Sequence, residues 1–238
     1  MTQNGDAVME KKTRELQYQV CFDVKNTYGF ARFGLMSNQV WHDDPRRLVF
    51  LLSRYKFVAK MLSGKKSVLE IGCADGFGSR LVAQEVGKLT LLDFDPVFIQ
   101  DAQENMDPKW KYNFLVLDPT DSLIPGQYDA IYSLDVLEHI QKEREKKFLW
   151  HIVEVLSNDG VLIIGTPTVE SQKYASPSSK EGHINCKDHK ELRDLLLNYF
   201  QNVFLFSMND EVVHTGFYPM AHYLFAICCG KKNFVESQ

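Results

Sequence analysis

The chain has 238 residues, a length that suits one large α/β domain with a terminal extension. Its formal net charge of −4 gives no general attraction to nucleic acid or to an anionic membrane, which argues against both as partners. No apolar run is long enough to span a bilayer, the N-terminus lacks the apolar stretch of a secretory signal, and the five cysteines include no C-x-x-C pair. Together these features predict a cytoplasmic protein.

The first part of the chain, 1–62, is predicted to be a polar tail followed by a helical cap. The stretch RRLVFLLSRYKFVAKML, residues 46–62, has the apolar spacing of a helix. Asp43 or Asp44 before Pro45 is a suitable helix start, because proline is tolerated in a first turn.

The rest of the chain, 63–238, is predicted to be one α/β domain. Short apolar strands alternate there with amphipathic helices, which predicts a mostly parallel sheet covered by helices on both faces. The last two strands are joined without a clear helix, so an antiparallel hairpin is expected at that edge. YASPSSKEGH, residues 174–183, is predicted to be a loop. The strand candidates are SVLEIG, LTLLDF, NFLVLD, DAIYSL, GVLIIGT, VFLFSM and HYLFAICC, and the helix candidates are GSRLVAQEV, PVFIQDAQENM, EREKKFLWHIVEVL and DHKELRDLLLNYF.

The first predicted strand runs into a glycine-rich turn, VLEIGCADGFG, residues 68–78. Glycines can adopt positive φ or let a ligand approach the backbone, and the helix that follows offers unpaired N–H groups. The spacing G-x-x-x-G-x-G differs from the G-x-G-x-x-G of dinucleotide sites. Glu70 and Asp75 would repel a diphosphate and favour a ligand that carries an amine and a positive charge. A nicotinamide-dependent dehydrogenase therefore remains only as an alternative.

Acidic residues also end the next two predicted strands. Asp93 follows the second strand, where a carboxylate can accept hydrogen bonds from both ribose hydroxyls. Asp118 follows the third strand and could accept a hydrogen bond from an adenine amino group. A nucleoside with a cationic amino-acid tail fits these positions, and S-adenosylmethionine has that structure.

Four motifs in order, VLEIGCADGFG, LLDFDP, VLDPTD and YDAIYSLDVLEHI, make the sequence resemble the class I S-adenosylmethionine-dependent methyltransferases over roughly residues 65–230. The resemblance implies a Rossmann-like seven-stranded sheet whose last strand is antiparallel, with an N-terminal helical lid. It also implies S-adenosylmethionine as the cofactor. The implied cofactor-binding residues are Glu70, Gly72, Ala74, Asp75, Gly76, Gly78, Asp93, Phe94, Asp118, Pro119, Ser133 and Leu134.

The fourth motif contains three candidate metal ligands, Asp135, Glu138 and His139. If a helix begins there, the spacing places Asp135 on one face with Glu138 or His139. The pattern of these residues is similar to the D/E-x-x-E-H motif of quinone-pathway O-methyltransferases, which hold a divalent ion. In many relatives with L-E-H no metal is bound, and the histidine packs beside the cofactor while the glutamate orders the loop. The prediction favours this second alternative, without a metal.

Two histidines are candidate catalytic bases. His183 follows the fifth predicted strand in a polar loop at the ligand side of the sheet, and an imidazole suits a general base near neutral pH. His139 is the second candidate. The alternative for His183 is a surface histidine before the helix that begins near Asp188.

Further candidates for binding the methyl acceptor lie at the two ends of the chain. The resemblance implies a lid in which Tyr28 and Trp41 exclude water and Arg32 pairs with an anionic acceptor. Asn209 and His214 lie in the connection before the last strand, which is dense in hydrogen-bonding groups. The alternative for the N-terminal residues is a packed helix, and the alternative for the connection is a solvated hairpin.

The sequence therefore predicts a monomeric or homodimeric enzyme that methylates a small polar metabolite, at a hydroxyl of a sugar-like or anionic acceptor. GHIN and NDEVVHTGFYPMAHYLF resemble bacterial methyltransferases that modify sugars or other polar metabolites. Three alternatives remain open: methylation at nitrogen, methylation at carbon of an aromatic or quinone-like acceptor, and cofactor binding without turnover.

Overall fold

The computed structural model describes residues 12–106, 109–110 and 112–232. The chain divides into two compact units, Met1–Arg32 and Phe33–Gln238. In the first unit a short 3₁₀ turn, Leu16–Tyr18, precedes helix α1 (Gln19–Tyr28). The second unit contains all the other elements, including the two helices that precede the sheet. The predicted division at residue 62 between the helical cap and the α/β domain stays a prediction.

Helices α2 (Leu35–Asp43) and α3 (Pro45–Met61) open the second unit. Asp44 caps α3 by accepting a hydrogen bond from the backbone N–H of Arg46, and Pro45 occupies the first turn, as predicted from the sequence. One face of α3, with Tyr55 and Val58, is buried. None of the described helices is both long enough and apolar enough to pass through a membrane.

Strands and helices alternate after α3, as the apolar pattern predicts. The strands are β1 (Ser67–Ile71), β2 (Lys88–Asp93), β3 (Tyr112–Val116), β4 (Tyr128–Leu134), β5 (Leu156–Pro167), β6 (Phe200–Asn209), β7 (Val212–His214) and β8 (Tyr223–Lys231). The helices are α4 (Ser79–Ala83), α5 (Pro96–Asn105), α6 (Lys142–Val155), α7 (Pro177–Gly182) and α8 (His189–Leu197).

The strands form one sheet in the order β3-β2-β1-β4-β5-β8-β6-β7. Neighbours from β3 to β5 are parallel, whereas β8 runs antiparallel to both β5 and β6. The predicted α/β fold and the antiparallel last strand are therefore confirmed. The described sheet has eight strands instead of seven, because β6 turns at Asp210, which has a φ of 50°, and pairs with the short strand β7. Aspartate tolerates this left-handed backbone better than most residues.

The apolar core fills both faces of the sheet. On one face Phe148 and Ile152 of α6 pack with Leu192 of α8. On the other face Val58 of α3 packs with Val82 of α4. Each of these side chains is fully buried, and burial of one such side chain contributes about 1.5–3 kcal/mol. The two layers hold the carboxyl ends of the parallel strands in fixed positions.

The prediction of a loop over residues 174–183 is wrong. Pro177–Gly182 form α7, and Ser176 caps it by accepting a hydrogen bond from the backbone N–H of Ser179. The sequence Ser-Pro supplies a cap followed by a first-turn proline, a helix-start signal that the high polarity of the segment obscured.

Candidate active site

A cavity of about 570 Å³ opens at the carboxyl ends of β1, β2 and β4. Strand order reverses at β1, which lies between β2 and β4, and ligands of open α/β sheets bind at such a point. The cavity brings together many of the residues predicted to bind the cofactor, together with His139. Those predicted residues are Gly72, Ala74, Asp93, Phe94, Asp118, Pro119 and Leu134.

The turn after β1 requires glycine. Gly72 has a φ of 77°, and a Cβ placed on it would lie 2.2 Å from Cγ2 of Val136. Its backbone N–H donates to the carbonyl of Leu92 at the end of β2, over 2.8 Å. The turn therefore packs closely against the ends of β2 and β4, and the backbone of Gly72 lines the cavity.

Asp93 is held at the cavity by the backbone. Its Oδ2 accepts a hydrogen bond from the N–H of Ala74 over 2.9 Å, and its Oδ1 accepts one from the N–H of Asp95 over 3.0 Å. Burial raises the pKa of this carboxyl group above its ordinary value. Each carboxylate oxygen has a further lone pair, so Asp93 can accept hydrogen bonds from two hydroxyls of a ligand.

Asp118 is fixed on the opposite side of β2 from the glycine turn. Its Oδ1 accepts hydrogen bonds from the backbone N–H and the hydroxyl of Thr120, over 2.8 and 2.6 Å. The guanidinium of Arg144 lies 3.8 Å from Oδ2 and is also paired with Asp121. Asp118, Thr120 and Arg144 all line the cavity, and they provide both acceptors and donors for a polar ligand.

Glu70 lies beneath the turn and does not line the cavity. It is buried, and its two oxygens accept hydrogen bonds from the hydroxyls of Tyr55 and Tyr132, over 2.7 and 2.6 Å. Burial raises the pKa of Glu70 to about 7. Gly78 is required beside it, since a Cβ there would lie 2.3 Å from Cδ2 of Tyr55. Two further predicted residues, Gly76 and Ser133, also lie outside the cavity lining, and Ser133 donates to the carbonyl of Ile71.

Asp75 binds helix α2. Its carboxylate accepts hydrogen bonds from the backbone N–H of Ser37 over 2.6 Å and from the hydroxyl of Ser37 over 3.1 Å. Asp101 of α5 accepts a hydrogen bond from the N–H of Leu35 over 2.7 Å. A Cβ on Gly34 would lie 2.3 Å from Cβ of Asp75, so the backbone approaches closely. These contacts place Met36 of α2 at the cavity, whereas Asp75 itself does not line it.

Asp135 does not share a helix face with Glu138 and His139, contrary to the expectation for a helix beginning at this motif. Asp135 has a φ of 56°, and only a 3₁₀ turn, Leu137–His139, follows it. Its carboxylate is bound by Nη1 of Arg54 over 2.7 and 2.8 Å. The guanidinium of Arg54 also lies 3.9 Å from the ring centroid of Tyr223, so Asp135 is committed to an ion pair.

Glu138 is fully buried. Its Oε2 accepts a hydrogen bond from the hydroxyl of Thr166 over 3.1 Å. Its Oε1 has no hydrogen-bond partner among the described residues and lies 4.0 Å from Nε2 of His139. Burial, followed by the negative charge of Asp135, raises the pKa of Glu138 to about 8.

His139 and His183 lie side by side, with ring centroids 5.0 Å apart. Nδ1 of His139 is 2.9 Å from the carbonyl oxygen of Gly182, and Nδ1 of His183 is 2.9 Å from Oε1 of Gln172. Oxygen acceptors fix the proton of each neutral ring on Nδ1 and leave the lone pair on Nε2. Burial, followed by the charge of His139, lowers the pKa of His183. His139 lines the cavity, whereas His183 lies behind it.

Three of the other predicted acceptor-binding residues, Trp41, Asn209 and His214, do not line this cavity, and the roles of all these residues stay predictions. Trp41 stacks on Phe33 with ring centroids 5.5 Å apart. Asn209 and His214 bind each other over 2.8 Å within the hairpin of β6 and β7. Tyr28 and Arg32 belong to the first compact unit.

Several cavity residues were not predicted from the sequence. They are Met36, Leu51, Tyr55, Ile71, Leu92, Phe98, Thr120, Val136, Ile140, Gln141, Arg144, Phe148 and Ile184. Most are apolar residues of helices or turns. Their spacing in the sequence is the same as that of core residues, so the sequence does not distinguish the two. Arg144 alone could have been predicted, because it is a basic residue in the first turn of the helix that follows the fourth motif.

Comparison with known proteins yields one family match. Residues 68–160 match a protein-family model described as a methyltransferase domain. A mitochondrial ubiquinone biosynthesis O-methyltransferase of Schizosaccharomyces pombe is 30% identical over 136 residues, which are 52% of this chain and 48% of that protein. Nodulation protein S of Azorhizobium caulinodans is 35% identical over 104 residues, 42% of this chain and 48% of that protein. The chain thus matches about half the length of these curated relatives.

A solved structure shows the same fold. The N-methyltransferase NodS from Bradyrhizobium japonicum WM9, in complex with S-adenosyl-L-homocysteine, superposes with a TM-score of 0.55 at 18% identity. The superposition covers 80% of this chain and 87% of that one. At this level of identity the similarity establishes the fold.

Proposed function

We propose that this chain, which carries a class I S-adenosylmethionine-dependent methyltransferase domain over residues 68–160, transfers a methyl group to a hydroxyl oxygen of a small polar acceptor. S-adenosylmethionine is its cofactor. The relatives support this assignment, since one is a ubiquinone biosynthesis O-methyltransferase and a structural neighbour holds S-adenosyl-L-homocysteine.

The observation that carries the proposal is the single cavity that joins the predicted cofactor residues to His139. Asp93 binds the ribose hydroxyls, Asp118 with Thr120 binds the adenine edge, and the backbone at Gly72 lies along the methionine tail. Apolar side chains of the lining cover the adenine and exclude water, which strengthens the polar contacts. A methyl donor held by these residues would share the cavity with His139.

Methyl transfer is an in-line displacement at the methyl carbon. The acceptor oxygen forms a bond to carbon, the carbon–sulfur bond breaks, and the sulfur keeps the electron pair, so that S-adenosylhomocysteine is released. The proton of the acceptor hydroxyl must leave, and the free Nε2 of His139 can accept it. The ring of His183 packs against the ring of His139. Polar groups of Gln141 and His139 favour an acceptor with several hydroxyls.

Methylation at nitrogen is the second candidate. It is supported by the similarity to nodulation protein S and to the N-methyltransferase NodS. An amine acceptor also needs to be unprotonated before it attacks, and the same imidazoles could serve that need.

One experiment separates these candidates. The protein is incubated with ¹³C-methyl S-adenosylmethionine and a panel of sugars, hydroxy acids, phenols and amines, and the ¹³C chemical shift of the new methyl group is recorded. An O-methyl signal with release of S-adenosylhomocysteine is the expected result. An N-methyl or C-methyl signal would replace the proposal, and tight cofactor binding without any transfer would indicate a non-catalytic protein.

Replacing Asp93 by alanine is expected to weaken S-adenosylmethionine binding by up to about 2 kcal/mol, or roughly 30-fold in Kd, because charge-assisted hydrogen bonds to the ribose are lost. Isothermal titration calorimetry measures the affinity. Asp159→Ala removes an exposed carboxylate and is the matched control. Unchanged affinity in Asp93→Ala, or tight binding of a nicotinamide dinucleotide by the unmodified protein, would contradict the cofactor assignment.

A further inference from the structure

We infer that a buried ion pair between Lys187 and Glu145, bridged by Asn185, positions the two histidines beside the cavity. Each of these three residues is only 6–8% exposed. Lysine is rarely buried, and Lys187 is the only lysine or arginine among the buried residues of the part of the chain that the structure describes. The link to methyl transfer rests on the proposed function, whereas the positioning itself does not.

The three side chains bind one another in a closed set. Oε2 of Glu145 accepts hydrogen bonds from Nζ of Lys187 over 2.6 Å and from Nδ2 of Asn185 over 2.7 Å. Nζ of Lys187 also donates to Oδ1 of Asn185 over 3.0 Å. A buried charge needs such partners, because burial without them is strongly unfavourable. The set therefore fixes Asn185 and Lys187 against the first turns of α6.

The backbone of the segment 183–187 is bound on two further sides. The N–H of Asn185 donates to the carbonyl of Glu138 over 2.9 Å. The carbonyl of Lys187 accepts a hydrogen bond from the N–H of Val169 over 3.2 Å. The segment therefore lies between α6, the turn after β4 and the chain that follows β5.

This segment sets the geometry of the histidine pair. It begins with His183, and Ile184 beside it lines the cavity. The carbonyl oxygen of Gly182, directly before it, lies 2.9 Å from Nδ1 of His139. A shift of the segment would therefore move the hydrogen-bond acceptor of His139, the ring of His183 and one wall of the cavity together.

The ion pair contributes position more than net stability. Replacing a buried ion pair by apolar side chains of similar volume is often neutral or stabilising, because the two charges no longer have to leave water. Apolar side chains lack directional bonds, however, and repacked cores lose a unique arrangement before they lose stability. Removal of the polar set is therefore expected to leave the chain folded and to release the segment.

The first test uses the full chain without cofactor or acceptor. Glu145→Leu, Asn185→Leu and Lys187→Met are combined in a triple variant, which leaves no unpaired charge, and urea unfolding is expected to show a stability close to that of the unmodified protein. At alkaline pH, where imidazole is neutral, long-range ¹H–¹⁵N NMR shows which ring nitrogen carries the proton. His139 and His183 are expected to carry it on Nδ1 in the unmodified protein. In the triple variant they are expected to shift towards the Nε2–H tautomer that imidazole side chains prefer in water.

Three control variants separate position from stability. Val58→Ala creates a cavity on the other face of the sheet, so it is expected to lower stability and to keep both Nδ1–H tautomers. Glu85→Gln removes a more exposed ion pair with Lys60 and is expected to change neither measurement. Lys187→Met alone leaves the carboxylate of Glu145 buried without a cation, so this variant is expected to be less stable than the triple variant.

Turnover is measured next, with the acceptor that the ¹³C-methyl panel identifies. The triple variant is expected to lose about 10²-fold in kcat, which is the effect of displacing a reacting group by about 1 Å. Its affinity for S-adenosylmethionine is expected to be kept, because other bonds hold Asp93, Asp118 and Gly72.

The outcomes are distinct from those for the proposed function. Retention of both Nδ1–H tautomers in the triple variant, or full turnover by it, would overturn the inference. Loss of folding in the triple variant would also overturn it, because the set would then be required for stability. Released histidines in a protein that transfers no methyl group would support the positioning and contradict the proposed function.

Discussion

Replacing His139 by alanine is expected to lower kcat for methyl transfer by 10²–10⁴-fold while S-adenosylmethionine still binds. The ring lines the cavity, and its Nδ1 is held by Gly182, so that Nε2 is the group available to promote loss of the acceptor proton. Release of S-adenosylhomocysteine measures the rate, and calorimetry measures cofactor affinity.

The matched control is His222→Ala, since His222 is an exposed histidine directly before β8. This variant is expected to keep full activity. A fully active His139→Ala enzyme would remove His139 from the mechanism, and equal losses in the two variants would point to a general loss of folded protein.

Replacing Glu70 by glutamine is expected to abolish a pH dependence of stability of about 3 kcal/mol. Burial raises the pKa of Glu70 from 4.5 to about 7 in the folded protein, so between these values the folded state binds a proton that the unfolded state has lost. The contribution of Glu70 to the free energy of unfolding is therefore complete below about pH 4.5. It is lost as the pH rises through about 7.

Urea unfolding at pH 5, 6, 7 and 8 measures this effect. Relative to the Glu70→Gln protein, the unmodified protein is expected to lose stability between pH 5 and about pH 7 and to level off by pH 8. Glu143→Gln removes an exposed carboxylate on α6 and is expected to leave the pH dependence unchanged. A stability difference between unmodified and Glu70→Gln protein that stays constant from pH 5 to 8 would show that Glu70 titrates normally.

Local sequence patterns were enough to predict the fold. The apolar runs and the glycine turn predict the order of elements, and the family resemblance is confirmed by the match of residues 68–160 to a methyltransferase domain. Asp93 and Asp118 follow strand ends, so their place at the cavity follows from the topology of a parallel sheet. Strand β7 was missed because a three-residue strand has too few positions to show alternation.

The side-chain partners could not be predicted in the same way. Nothing local shows that Asp75 and Glu70 bind other parts of the protein, because their partners, Ser37 and Tyr55, are distant in sequence. Both acids were predicted to contact the cofactor from their charge and from the family resemblance. Likewise, the motif favoured a shared helix face for Asp135 and Glu138, whereas Asp135 has a positive φ and is bound by Arg54.

The attachment of α2 has a consequence for how occupancy of the site can be observed. The amide hydrogens of Leu35 and Ser37 are held by carboxylates of α5 and of the glycine turn. Their exchange with deuterated solvent thus requires those bonds to open, and a molecule that stiffens the turn would slow it. The exchange rates of these two amides therefore indicate whether the site is occupied. Nuclear magnetic resonance can measure them without any label on the bound molecule.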